Sequence, residues 1–358
     1  MGRQQAKKDQ LVTDWRRILM QSLGHPGQLA ARFPGQGAGL EAVCARYPMR
    51  INPYYLSLIR EVGDPLWRQA VPDLRELDDQ VCLEDPLAEE DLSPVPNLIH
   101  KYPDRVLFLV HNQCAMYCRF CTRKRKVGTA RMQIGEESIR AGLDYIRQTP
   151  AVRDVLVSGG DPLLLSDARL DQLLAALRAI PTVEIIRIGT RVPCVLPMRV
   201  TPSLAAVLKR HHPLYLNTHF NHPAELTPEA ALACGRLADA GIPLGCQTVL
   251  LHGVNDDPEV MSRLMRGLLR FRVKPYYIFQ ADMTMGTNHF RTTIDTGLHI
   301  MRSLIGHHSG LAVPTYAVDA PGGGGKIPLT PDYVIERGKT VRFVNYRGDM
   351  CSYLDGDY

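Results

Sequence analysis

The chain has 358 residues, 45% of them hydrophobic and 22% charged, proportions that exclude a disordered chain, a collagen and a coiled coil. Its 42 Lys and Arg against 37 Asp and Glu leave a formal charge of +5, too mild over this length to mark a nucleic-acid binder by itself. No apolar run approaches the roughly 18–20 residues of a membrane span. The polar opening MGRQQAKKDQ leads into no apolar signal core, so the expected compartment is the cytoplasm, with no membrane or nucleic-acid partner. Nine cysteines, three of them crowded into positions 114–121, suit a reducing compartment with a metal or redox site rather than a disulfide scaffold.

Residues 1–99 read as a helical and extended N-terminal segment. Trp15, Ile18, Leu19 and Leu23 recur at helical spacing. The acidic, Pro-containing text of 71–98 (DPLAEEDLSPVP) has neither helical nor strand period, which predicts an extended segment wrapped over the body. From about residue 100 the rhythm changes. Short β-branched or apolar runs at 106–110, 155–157, 183–188, 214–217, 244–251 and 273–279 alternate with helical patterns at 136–148, 166–180, 202–211, 228–240, 258–270 and 292–305. Thr227 before Pro228 and Asp257 before Pro258 read as N-caps with Pro at the first helical position, and Gly241 as the residue that ends the first of these helices.

Six strand–helix units in strict alternation call for a parallel α/β sheet, because each parallel neighbour needs a crossover. An open doubly wound sheet and a full or partial TIM-type barrel both satisfy this. Either one puts chemistry at the strand C-terminal ends.

The strongest chemical signal follows the first of these strands. HNQCAMYCRFC places Cys114, Cys118 and Cys121 as C-x3-C-x2-C. Three thiolates can hold a 4Fe–4S cube and leave one iron open to an exchangeable ligand. A Cys3His zinc site completed by His111 or His100 is the alternative, although zinc sites usually draw on two separated pairs. VSGGDP (157–162) closes the second strand with Gly159, Gly160 and Asp161, a turn whose backbone can come close to a ligand. VDAPGGGGK (318–326) sets four glycines before Lys326. Their amides could cradle a phosphate beside an amine suited to a pyridoxal phosphate (PLP) Schiff base. A flexible linker with a solvated lysine is the bland reading of the same segment. The basic run Arg123–Lys126 has no interleaved aromatics and reads as a local electrostatic feature rather than a nucleic-acid patch.

These motifs resemble, in order, those of the lysine 2,3-aminomutase family of radical S-adenosylmethionine (SAM) enzymes, from YPMRINPYYLSLI at Tyr47 through SGGDPLLL, NTHFNHP and FQADMTMGTNHFRT to DAPGGGGK. The resemblance implies a partial (βα)6 barrel at 100–310 and a C-terminal segment at 311–358 carrying the PLP lysine. It implies a 4Fe–4S cluster on Cys114, Cys118 and Cys121, with SAM bound near Gly159, Gly160 and Asp161 and near His219 and Gln247. PLP would sit on Lys326 with Arg105, near Lys101 and Tyr102, by its phosphate. Arg123 would meet the substrate carboxylate, and Asp282 and Asp319 the distal ammonium of a basic amino acid. The implied reaction interconverts L-α-lysine and β-lysine by 1,2-amino migration. Alternatives within the family are an arginine or ornithine aminomutase, or an enzyme supplying β-lysine to elongation factor P. A reductant such as flavodoxin or ferredoxin is the expected partner, with a homo-oligomer possible. Relatives with zinc take it from a Cys in the loop after GVND and from a Cys-rich tail. Here Asp257 holds the loop position and only Cys351 lies near the end, so no zinc is expected.

Overall fold

The computed structural model describes residues 14–356. One sheet contains nine strands in sequence order: β1 (Leu98–Tyr102), β2 (Arg105–His111), β3 (Asp154–Gly159), β4 (Ile185–Gly189), β5 (Leu214–Thr218), β6 (Leu244–Leu250), β7 (Lys274–Gln280), β8 (Thr315–Ala320) and β9 (Gly325–Pro328). Strands β2 to β8 run parallel. β1 and β9 close the two edges antiparallel. The six crossovers are α1 (Glu136–Gln148), α2 (Asp167–Arg178), α3 (Pro202–Lys209), α4 (Pro228–Asp239), α5 (Pro258–Arg270) and α6 (Ile294–Leu304). Since the end strands β1 and β9 are not paired with each other, the sheet is a partial barrel.

The alternation of side chains along the strands explains both walls. Val106, Phe108 and Val110, Val155 and Val157, and Ile186 and Ile188 are buried in one core with Leu170, Leu174, Leu177, Leu204, Leu208, Leu237, Leu264 and Leu268 of the crossover helices. Each such side chain contributes about 1.5–3 kcal/mol of burial. The opposite faces of the same strands carry Asp154, Leu156, Ser158, Arg187, Asn217 and Gln247, which line an open lumen. A closed eight-stranded barrel fills that space with apolar layers; the polar residues here leave it for ligands.

The expected caps are in place. Thr227 Oγ1 accepts from the Ala230 amide at 3.1 Å, and Asp257 Oδ1 from Glu259 and Val260 at 2.9 and 3.0 Å. Gly241 takes φ +81° past the end of α4, a conformation that costs other residues about 1–2 kcal/mol. The first helix is shorter than its stripe: it spans Trp15–Met20, and Leu23 lies beyond it, bridged to Ile51. The boundary expected at 311 falls just ahead of β8 and β9, which continue the barrel sheet. A separate three-stranded antiparallel sheet follows, of β10 (Val334–Glu336), β11 (Thr340–Val344) and β12 (Met350–Leu354).

Segment 71–97 crosses the body with a single 3-10 turn at Leu74–Glu76 and an isolated bridge from Leu83 to Thr284. Its acids meet the basic run. Glu76 pairs with Arg119 and Lys124, Glu89 with Arg123, Asp85 with Arg125, and Glu90 with Arg125 and Lys126. The run therefore forms no solvated face.

Candidate active site

One cavity of about 630 Å³ runs through the lumen, and its wall includes every site residue expected from the sequence. That volume suits an organic cofactor with a substrate, and far exceeds what a single ion needs. The Cys loop, the Gly159–Asp161 turn, His219, Asp282 and Asp319 lie at or beyond the C-terminal ends of β2, β3, β5, β7 and β8. Arg105 begins β2, and so stands at the other end of the lumen.

The three thiols face this cavity. Cys114 and Cys121 are half-buried. Burial drives the Cys114 thiol well up and the Cys121 thiol to about 11, with neighbouring thiols adding to both effects. Such groups ionise only when a cation binds them. Arg191 Nη1 donates to Cys118 Sγ at 2.8 Å and the Arg123 amide to Cys121 Sγ at 3.4 Å, donors that a thiolate or cluster sulfur would strengthen. Among the described residues, no three His, Cys, Asp or Glu side chains converge as a single-ion site. Thiolates around a cube bind separate irons and need not converge.

The Cys loop is held from behind. The carboxylate of Glu76 accepts from Arg119 Nε and Nη2 at 2.9 and 2.5 Å and from Lys124 Nζ at 2.7 Å, all of them buried. Burial draws Lys124 down to about 8 against the pull of Glu76. On the opposite side Arg191 reaches Gln69 and Glu225 as well as Cys118. No sequence motif marked Glu76 or Arg191.

The glycine turn also packs against the chain itself. A Cβ on Gly159 would collide with the His111 carbonyl and one on Gly160 with the Gln113 carbonyl. The close approach is therefore to the chain's own β2 end. There Gly160 N–H donates to His111 O at 2.5 Å and Asp161 N–H to Gln113 O at 2.8 Å. Asp161 turns its carboxylate onto Thr190 Oγ1 and the Leu163 and Arg191 amides at 2.6–3.1 Å. Burial still lifts its carboxyl to about 6. What remains free along this wall is polar: Thr218 Oγ1, Asn217 Nδ2 and Arg191 Nε are buried with no partner, a cost relieved when a polar ligand supplies one. His219 is a neutral imidazole, drawn down to about 3 chiefly by burial, and it bonds Asn221 at 2.9 Å.

At the β8–β9 side, register places Lys326 directly opposite Asp319. Lys326 Nζ donates to Asp319 Oδ2 at 2.8 Å, and Lys101 Nζ to Oδ1 at 3.2 Å. Lys326 also lies 5.1 Å from the centre of the Phe279 ring, which stacks on Tyr277. The tetraglycine acts as the turn of this hairpin. Gly322, Gly323 and Gly325 have φ +67°, +80° and +88°, and the Gly322 and Gly324 amides are taken by the Pro86 and Ala320 carbonyls. The expected phosphate cradle is thus at least half engaged within the chain. Cations for a phosphate stand elsewhere on the wall, at Lys101, Arg187 and Arg105, the last stacked 4.0 Å over Tyr102. Asp282 has no side-chain partner among the described residues. Burial, with Asp319 nearby, pushes its carboxyl up to about 7. Arg123 meets Glu89 through Nε at 2.9–3.0 Å and Nη2 at 2.5 Å.

The barrel and cysteine loop define a radical SAM protein: the Radical SAM superfamily model matches residues 108–265 and the Lysine-2,3-aminomutase model residues 301–358. The chain is 53% identical to the L-lysine 2,3-aminomutase of Fusobacterium nucleatum over 311 residues, covering 86% of this chain and 73% of that protein. It is 52% identical to the L-lysine 2,3-aminomutase of Methanococcus maripaludis, covering 87% and 73%. Identity to the glutamate 2,3-aminomutase of Clostridioides difficile is 46%, over 84% and 71%. The chain belongs to the lysine 2,3-aminomutase family of the radical SAM superfamily, membership of which implies a 4Fe–4S cluster and SAM.

Proposed function

We propose that the chain is an L-lysine 2,3-aminomutase that uses PLP alongside the cluster and SAM, in a reducing cytoplasmic setting. The observation that carries this reading is the shared cavity. Three cysteines, a primary amine, a free arginine edge and two carboxylates face one space of about 630 Å³. When bound, the cluster and SAM supply a carbon radical that takes a hydrogen atom, and PLP supplies a carbonyl carbon and a π-system for the migrating nitrogen.

The chain's own residues supply placement. Cys114, Cys118 and Cys121 would hold three irons. The unpartnered Thr218 and Asn217 would meet SAM from the wall, together with His219 and Gln247. Lys326 would hold PLP against Tyr277 and Phe279, and its phosphate would share Lys101, Arg105 and Arg187 with their carboxylate partners. Arg123 would fix the substrate carboxylate, and Asp282 with Asp319 its distal ammonium. A glutamate side chain would instead set a third carboxylate against these two, which argues for lysine.

The test is anaerobic turnover of an amino-acid panel with SAM, PLP and dithionite, with the products resolved by mass. β-Lysine from lysine is expected, together with borohydride trapping of PLP on Lys326 that the Lys326→Ala variant loses. A preference for glutamate, or no β-amino product from any basic amino acid, overturns the proposal.

A further inference from the structure

Glu89 lies on a strap, residues 85–92, whose far end is held by the His100 amide donating to the Leu92 carbonyl at 2.9 Å. Asp85 accepts from the Glu90 amide at 2.9 Å and pairs with Arg125 at 3.1 Å, and the Pro86 carbonyl accepts from Gly322 of the tetraglycine turn at 2.8 Å. The strap therefore ties the cysteine loop to the hairpin that carries Lys326. Glu89 is 7% exposed and lines the cavity.

A guanidinium has more than one edge able to take a carboxylate. Glu89 holds only the Nε–Nη2 edge of Arg123. Nη1 has no protein partner among the described residues and is not sealed off from open space. The other cations of the wall are engaged: Arg191 with Cys118, Gln69 and Glu225, Lys101 and Lys326 with Asp319, Arg187 with Asp154, and Arg105 with Asp104. An incoming carboxylate could evict Glu89 or dock beside it. Eviction would leave a buried carboxylate without a partner, which typically costs several kcal/mol.

We propose that Glu89 is a positioning residue for the substrate carboxylate: it stays on one edge of Arg123 and thereby presents the Nη1 edge to the amino acid. This rests on the assignment of Arg123 to the substrate carboxylate, and it assigns the strap a share in substrate recognition.

The test measures L-lysine binding by calorimetry to the holoenzyme, anaerobically and without reductant so that no turnover occurs. Glu89→Gln, Glu89→Asp and Arg123→Lys are compared with the parent. Cluster absorbance near 400 nm and melting temperature are followed in each. Glu89→Gln keeps shape and one acceptor but loses the charge, so lysine binding should weaken about tenfold with cluster content and melting temperature unchanged. Glu89→Asp keeps the charge and should recover part of the affinity. Unchanged or tighter lysine binding in Glu89→Gln, with binding lost in Arg123→Lys, overturns the positioning role and makes Glu89 a displaceable stand-in. Parallel loss of cluster, stability and binding in both Glu89 variants overturns it in favour of a structural role. Full lysine affinity in Arg123→Lys removes the carboxylate assignment itself.

Discussion

Asp282 is a half-buried carboxylate with no side-chain partner among the described residues, and replacing it with asparagine should separate stability from function. Its carboxyl is pushed up to about 7 by burial and by Asp319, while in an unfolded chain it ionises near 4. Between those two values the folded protein keeps a proton that the unfolded chain has released. Parent stability therefore falls as pH rises through the window, and the full cost is present above about 7. Three decades of proton affinity correspond to about 4 kcal/mol, and water in the lumen will relax part of that. A neutral amide in the same place would carry no such cost. Asp282→Asn should therefore stabilise the protein more at pH 8 than at pH 5, by about 2 kcal/mol or a few degrees of melting temperature.

The same change should remove the carboxylate that attracts a substrate ammonium. At pH 8, L-lysine should raise the melting temperature of the parent and barely move that of the variant. The parent's kcat/KM should climb through pH 7 as Asp282 ionises. That of the variant should be flat there and about a hundredfold lower at pH 8. Scanning calorimetry at the two pH values, with and without lysine, reads all of this except the kinetics. Equal stability differences at pH 5 and pH 8, or undiminished lysine protection in the variant, would refute the assignment of Asp282 as a carboxylate held in strain for a cation.

Other residues give sharper structural outcomes. Glu76→Gln leaves Arg119 and Lys124 buried without their shared counter-ion and should cost about 3–5 kcal/mol, seen in urea denaturation as an earlier midpoint at constant slope. It should also lower iron incorporation, since both cations belong to the cysteine loop. Gly160→Ala drives a methyl into the Gln113 carbonyl. The cysteine-loop entry and the β3 turn must then part, so SAM binding by equilibrium dialysis should fall by at least tenfold while α-helical circular dichroism is kept.

The crossover units were legible because each one writes its own period: α1 and α5 match their expected spans, and the other crossover helices differ by a residue or two at their ends. β8 was missed because its short apolar stretch, Tyr316–Val318, sits between Pro314 and the Asp319 of the glycine motif. Its pairing with β7 comes from tertiary placement. The three cysteines, the glycine turn and the lysine were visible because motif chemistry is contiguous. Glu76, Glu89 and Arg191 were invisible for the opposite reason: each acts on partners 34 to 122 positions away, and a lone Glu in an acidic stretch looks like any solvated charge. The glycines show a subtler limit. The need for close approach at Gly159 and Gly160 is legible in the sequence, but the contact both glycines make with the backbone at His111 and Gln113 is not.

Charge balance around the lumen links the strap, the hairpin and the choice of substrate. Asp319 is shared by Lys101 and Lys326, and Asp282 stands unpaired. With both lysines protonated and Asp282 ionised, this corner is neutral and has little call for another cation. Any reaction of the Lys326 amine that removes its charge leaves two carboxylates facing Lys101 alone, a deficit of one positive charge. An amino acid whose side chain ends in an ammonium makes good that deficit, and one ending in a carboxylate deepens it. At the cysteine end, Glu89 neutralises Arg123 yet leaves an edge free, so that region can take a carboxylate by hydrogen bonding without first exposing a bare buried cation. The two ends thus call for opposite charges on one molecule. Readiness for the ammonium follows from the state of Lys326, which predicts that lysine binds the Lys326→Met variant at its distal end more tightly than it binds the parent before the amine has reacted.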